Sequence, residues 1–199
     1  FSRAFYDRGA AEDLVAYTAE ELTGFARDAW QDFQNHELGT HRVSIADPAF
    51  KAQGSKVKGV SIIEIVNDNM PFLVDSVMDE LQESKIEVHL VLHPIFIVER
   101  DDNGKLTSAT ARKKPPKRTD RQESLIHIHV TRIDSPEARA ALKARLDKVL
   151  SDVRAVVSDF KPMQERLAEA IDTYKTTQIP GSSDELWEAI HFLEWMEND

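Results

Sequence analysis

Between Val60 and Leu81 the hydrophobic period switches from that of a strand to that of a helix within a few residues. No other feature of the chain restricts the fold as much. Val60 to Val66 is rich in Val and Ile, the composition of a buried strand, whereas Leu73, Val74, Val77, Met78 and Leu81 recur at helical spacing. The stretch Asn-Asp-Asn-Met-Pro-Phe-Leu-Val-Asp-Ser at 67 to 76 joins them through a polar, proline-marked turn. Pro71 suits the first helical turn, where its missing N–H is harmless, and Asp68 or Asn69 is positioned to cap the orphan amides. Such a helix N-terminus can also hold an anion, so the junction reads as part of a ligand-sensing module.

The flanking patterns extend this core. Thr18 with Glu21 forms a capping box, followed by the helical stripe Leu22, Phe25, Ala29 and Phe33. Arg42 to Ala46 alternates weakly as a short strand, and Asp47 to Lys58 reads as a loop. After the central helix, Ile86 to Glu99 is a long strand interrupted by Pro94, and Asp102-Asn103-Gly104 turns the chain into a return arm from Lys105 to Arg112. Ser124 to Ile133 is another strand. A helix then follows with the seam Leu142, Leu146, Val149, Val153, Val156 and Phe160, expected to pack along its whole length and to break or kink at Lys161-Pro162. Ser182 and Glu185 suggest a second capping box for a terminal helix.

Strand, helix, strand, hairpin, strand, helix is the order of a ferredoxin-like α+β fold, an antiparallel sheet with helices on one face. No strand follows the long helix, so Arg42 to Ala46 is expected to fill the remaining edge from the other end of the chain. The expected divisions are a helical arm at 1–37, the sheet domain at 38–161 with a basic hairpin insertion near 100–123, and a helical segment at 162–199 leading onward. A start at Phe1 and the apolar residues just before Asp199 suggest a piece of something larger.

Composition narrows function mainly by exclusion. With 199 residues and a net charge of −10, the chain can bury an ordinary core and is a poor partner for nucleic acid. No run approaches the roughly 18 apolar residues of a membrane span, so no membrane partner is expected and a cytoplasmic location is the default. The absence of cysteine excludes disulfides and thiolate metal ligands. The basic stretch Arg112, Lys113, Lys114, Lys117, Arg118 and Arg121 carries no interleaved aromatic residue and reads as a solvated hairpin end.

Strand alternation places His89 and His93 on one side of their strand and His127 and His129 on one side of theirs. The four are expected to share the helix-free face of the sheet, with Glu64 nearby, and stand as candidate metal ligands. Strand histidines more often fill space beneath another layer, so no metal is expected. Asp68, Asp75, Asp79 and Glu80 are explained by the helix dipole and a solvated face, and no catalytic residue is assigned.

These residues carry a resemblance. Asn-Asp-Asn-Met-Pro-Phe-Leu-Val-Asp-Ser-Val at 67–77, Leu-His-Pro at 92–94, Glu-Ser-Leu-Ile-His-Ile at 123–128, Val-Leu-Ser-Asp-Val-Arg at 149–154 and Phe-Leu-Glu-Trp-Met at 192–196 resemble the amino-terminal segment of the large bacterial NAD-specific glutamate dehydrogenases. The resemblance implies an ACT-like module, in a homo-oligomeric enzyme that deaminates L-glutamate to 2-oxoglutarate with NAD at a site outside this stretch. It also implies an amino-acid effector site at Asp68, Asn69, Met70 and Phe72, or alternatively an assembly role with the rest of the polypeptide and neighbouring subunits as partners. One departure is notable: an ordinary ACT turn reads Asp-x-Pro-Gly-Leu-Leu, and here Phe72 stands where the glycine would be.

Overall fold

The structure, a computed structural model, describes residues 1–7, 9–34, 36–48, 55–111, 120–176 and 183–198. Three helices open it: α1 (Ser2–Tyr6), α2 (Ala11–Leu14) and α3 (Ala19–Phe33). Only α3 has a strong start signal. The Thr18 hydroxyl accepts from Glu21 N at 3.2 Å, and the Glu21 carboxylate accepts from Thr18 N at 2.9 Å, completing the expected capping box. Next come β1 (His41–Ala46), α4 (Ser55–Lys58), β2 (Val60–Asp68), α5 (Leu73–Glu83), β3 (Val88–Leu92), β4 (Ile95–Arg100), β5 (Leu106–Ala111), β6 (Gln122–Thr131), α6 (Pro136–Thr176) and α7 (Ser183–Asn198). The second expected capping box and most of the basic stretch lie outside the described residues.

The six strands form one antiparallel sheet in the order β1-β2-β6-β4-β5, with β3 also paired to β6. As expected, β1 fills the edge beside β2, and β3 and β4 are two parts of one line split at Pro94. The β4–β5 hairpin turns at Gly104, whose φ of +77° is left-handed; a Cβ there would stand 3.0 Å from the His36 carbonyl oxygen. That turn therefore favours glycine twice over.

Both faces of the sheet are covered. Ile63, Ile65, Ile126 and Ile128 lie on one side, closed by α5 and α6, whose stripes Leu73, Val77, Leu81 and Leu142, Leu146, Leu150 are buried. The other side was expected to carry no helix. Instead Phe5 of α1 and Ala26, Ala29 and Phe33 of α3 form a core there with Val66, Leu90, Leu92, Phe96 and Leu125. The helices that flank the ferredoxin-like core in sequence thus supply its second layer, because a sheet apolar on both faces cannot leave one of them in water.

Three local expectations are corrected. Helix α5 begins at Leu73 with Phe72 as its N-cap, so Pro71 lies before the first turn and neither Asp68 nor Asn69 caps it; no side chain does. The Asp68 carboxylate is instead engaged by Gly39 N at 2.8 Å. Helix α6 continues through Pro162, since the helix-forming residues on both sides outweigh one lost bond. Its seam is buried only as far as Val153; Val156 and Phe160 are exposed.

The chain divides into two compact units, Phe1–Val153 and Arg154–Asp199. In the second, Ile171 is buried and Lys175 pairs with Glu194 at 2.6 Å, while Trp187, Phe192 and Trp195 of α7 are exposed.

Candidate functional site

Three groupings on the first unit can carry chemistry. The first is the β2–α5 turn. Asn69, Met70, Phe72, Asp75, His93 and Ile95 are among the residues that line a cleft of about 440 Å³ there. Phe72 has φ +68° and ψ −3°, a conformation natural to glycine and strained for a bulky side chain, and the residue is 60% exposed. Phe72 thus takes up a backbone conformation that glycine would adopt without strain. Replacing Phe72 by Gly should remove roughly 1–2 kcal/mol of left-handed strain against about 0.4–1 kcal/mol of added unfolded-state entropy. The expected result is a higher urea midpoint with an unchanged slope.

Of the four effector candidates, Asn69, Met70 and Phe72 line this cleft. Asp68 is on the opposite side of the sheet, because β2 alternates and Asp68 pairs across to Glu123.

The second grouping is a buried chain of hydrogen bonds. Glu64 and His127 are cross-strand partners, and Glu64 Oε1 lies 2.8 Å from His127 Nδ1. His127 Nε2 is 2.9 Å from His129 Nε2, and His129 Nδ1 is 2.7 Å from the Tyr17 hydroxyl. Phe25 and Phe5 pack their rings against the two imidazoles. Burial pushes Glu64 up to about 9, helped by its hydrogen bond to Asp32, and pushes His129 down to about 3. Burial likewise holds His127 well below its ordinary range. One proton per bond satisfies the chain in either sense, donated stepwise from the Tyr17 hydroxyl towards Glu64 or from a protonated Glu64 towards Tyr17.

The four histidines do not assemble. A bulge between Val88 and Leu90 puts one extra residue into β3, so Leu90 and Leu92 stand opposite His129 and His127. Beyond it His93 turns to the other face and meets Ser124 Oγ at 2.6 Å. His89 reaches Thr131 Oγ1 at 2.9 Å.

The third grouping had no sequence signal. Arg100, with a side chain 1% exposed, grips the fully buried Glu123 through Nε and Nη2 at 2.6–3.1 Å. Its remaining N–H groups donate to the carbonyls of Phe33, Gln34 and Gly104 at 2.8–2.9 Å. One guanidinium thus closes the C-terminus of α3, the β4–β5 hairpin and β6. Arg121 adds a second contact to Glu123 at 2.8 Å, and His36 approaches Asp68 at 3.7 Å beside it. The partners of Arg100 lie 4 to 67 residues away, which is why spacing could not reveal them.

The six-stranded antiparallel sheet with its helices is the α+β architecture of an ACT-like domain. Residues 1–146 match the family described as the ACT1 domain of glutamate dehydrogenase, and the chain belongs to that family. An NAD-specific glutamate dehydrogenase of Halomonas elongata is 33% identical over the whole chain. Another, of Pseudomonas aeruginosa, is 25% identical over 98% of it. The chain spans 12% of the length of each. No helix among the described residues is long and apolar enough to cross a membrane.

Proposed function

We propose that this chain is the regulatory ACT1 module of an NAD-specific glutamate dehydrogenase and that the cleft at Asn69 to Asp75 receives a small amino-acid effector. The whole enzyme would oxidise L-glutamate to 2-oxoglutarate and ammonia with NAD, in the cytoplasm and as a homo-oligomer. This module would contribute no catalytic group and would not itself hold NAD. The observation that carries the reading is Phe72: a bulky residue in a glycine conformation at the mouth of a cleft stores strain, and stored strain concentrates at ligand clamps and switches.

The test is a thermal-shift screen of amino acids on the 199-residue chain. A ligand at 100 times its dissociation constant stabilises by about 2.7 kcal/mol. Asn69→Ala, which removes a lining amide, should abolish the shift without lowering the unliganded midpoint by more than a degree or so.

A second reading, assembly without a ligand, draws on the exposed Trp187, Phe192 and Trp195 of α7. Large aromatic groups of this kind are enriched where proteins meet. The same screen separates the two, because no stabilisation by any amino acid would refute the sensing role and leave assembly.

A further inference from the structure

We propose that the exposed part of the α6 seam is a docking face for a second copy of this chain, the two helices packing antiparallel about a two-fold axis between Phe160 and Met163. The first unit buries the seam only as far as Val153. Beyond that residue it continues through Val156, Phe160, Met163, Leu167, Ala170 and Tyr174 at alternating spacings of three and four. A 3.5-residue apolar repeat held over three heptads is the pattern of a helix that pairs with another helix. Val156, Phe160 and Met163 are each more than half exposed, so nothing among the described residues covers this stretch of the repeat.

The residues that flank the seam favour a second copy over an unrelated helix. In heptad terms Val153, Phe160 and Leu167 take position a, Val156 and Met163 take position d, and Asp159 and Arg166 fall at successive g positions. An antiparallel pair sets a against d and g against g. Phe160 then meets the partner's Met163, Val156 meets the partner's Leu167, and Asp159 meets the partner's Arg166, each contact made twice as a two-fold axis requires. The apolar and the charged positions are thus their own complement. A parallel pair would set g against e, placing Asp159 beside Gln164 and Arg166 beside Ile171, with no charge match. Among the described residues neither Asp159 nor Arg166 has an ion-pair partner within its own chain.

The outer face of the helix fits the same arrangement. Pro162 falls at position c, away from the seam, and Lys161 and Glu165 pair along that outer side at 3.9 Å. This pairing rests on the homo-oligomeric reading given above and gives it a surface distinct from the aromatic residues of α7.

The test is sedimentation velocity of the 199-residue chain over a concentration series, where a dimer that dissociates on dilution is expected. Phe160→Glu, at an exposed position, should weaken it by roughly tenfold or more, with circular dichroism confirming the fold. Asp159→Arg and Arg166→Asp should each weaken it about tenfold. Mixing these two variants should restore the dimer, because in the mixed pair every g–g contact again joins opposite charges. A chain that stays monomeric at about 100 μM, or a dimer undiminished in folded Phe160→Glu, overturns the docking face. If Trp195→Glu abolishes a dimer that Phe160→Glu spares, assembly lies on α7 and stands without the seam. Charge variants that do not recover on mixing overturn the antiparallel arrangement.

Discussion

Arg100→Met should cost about 3–5 kcal/mol of folding stability, the range for breaking a buried ion pair from one side. Met reproduces the aliphatic stem and leaves the space of the guanidinium empty, so a small cavity adds to the loss. What remains is a Glu123 carboxylate that is fully buried and keeps only Arg121, together with the Phe33, Gln34 and Gly104 carbonyls that have lost a charged donor. Arg100→Lys should recover only part of this, since an ammonium cannot span Glu123 and three carbonyls as the planar fork does. The pair itself is tested by Arg100→Met with Glu123→Met. Removing both charges eliminates the uncompensated carboxylate, so the double variant should be more stable than Arg100→Met alone. Urea denaturation of the unaltered chain, Arg100→Met, Glu123→Met and the double variant, analysed as a mutant cycle, measures the coupling. If the double variant is the least stable, the pair is not what dominates at this position.

The contrast between that hub and the rest of the fold shows where sequence reading works. The β2–α5 transition, the α3 capping box and the β4–β5 turn are written in contiguous residues, and each appears where its pattern places it. The position of β1 followed from a topological need, an edge beside β2 that no later strand could fill. The histidine faces failed for one specific reason. Side chains alternate with a period of two, so the single residue added by the β3 bulge reverses every side chain beyond it, and no local signal marked that bulge. Helices α1 and α2, of five and four residues, are too short to show a period at all. Their layer was missed with them, although the paired apolar faces of β2 and β6 required a cover on both sides. In the turn, the sequence located the cleft but not the direction of Asp68, because the alternation that aims Asp68 toward Glu123 depends on where β2 ends.

Stability should pass through a maximum near pH 6.5 and fall on both sides, because the Glu64–His127–His129 chain is buried in its neutral form. On the acid side, the unfolded histidines take up protons below their ordinary value of 6.5, whereas in the folded chain His129 resists until about 3 and His127 is also held far down. The unfolded state then binds more protons, and each histidine removes about 1.4 kcal/mol of stability per pH unit. Glu64 acts in the opposite sense. Its folded value of about 9 lies above the ordinary 4.5, so between these limits the folded state holds the extra proton and stability falls as pH rises, again by about 1.4 kcal/mol per unit. From pH 4.5 to 6.5 the two histidines outweigh the one carboxyl, and the net slope is upward. Above pH 6.5 only Glu64 remains, and the loss by pH 9 amounts to about 3 kcal/mol. Glu64→Gln keeps the shape and an acceptor for His127 but has no proton to lose, so it should flatten the alkaline limb and leave the acid limb in place. Urea midpoints from pH 5 to 9 measure both limbs. An alkaline decline that persists unchanged in Glu64→Gln would show that Glu64 does not keep its proton in the folded chain.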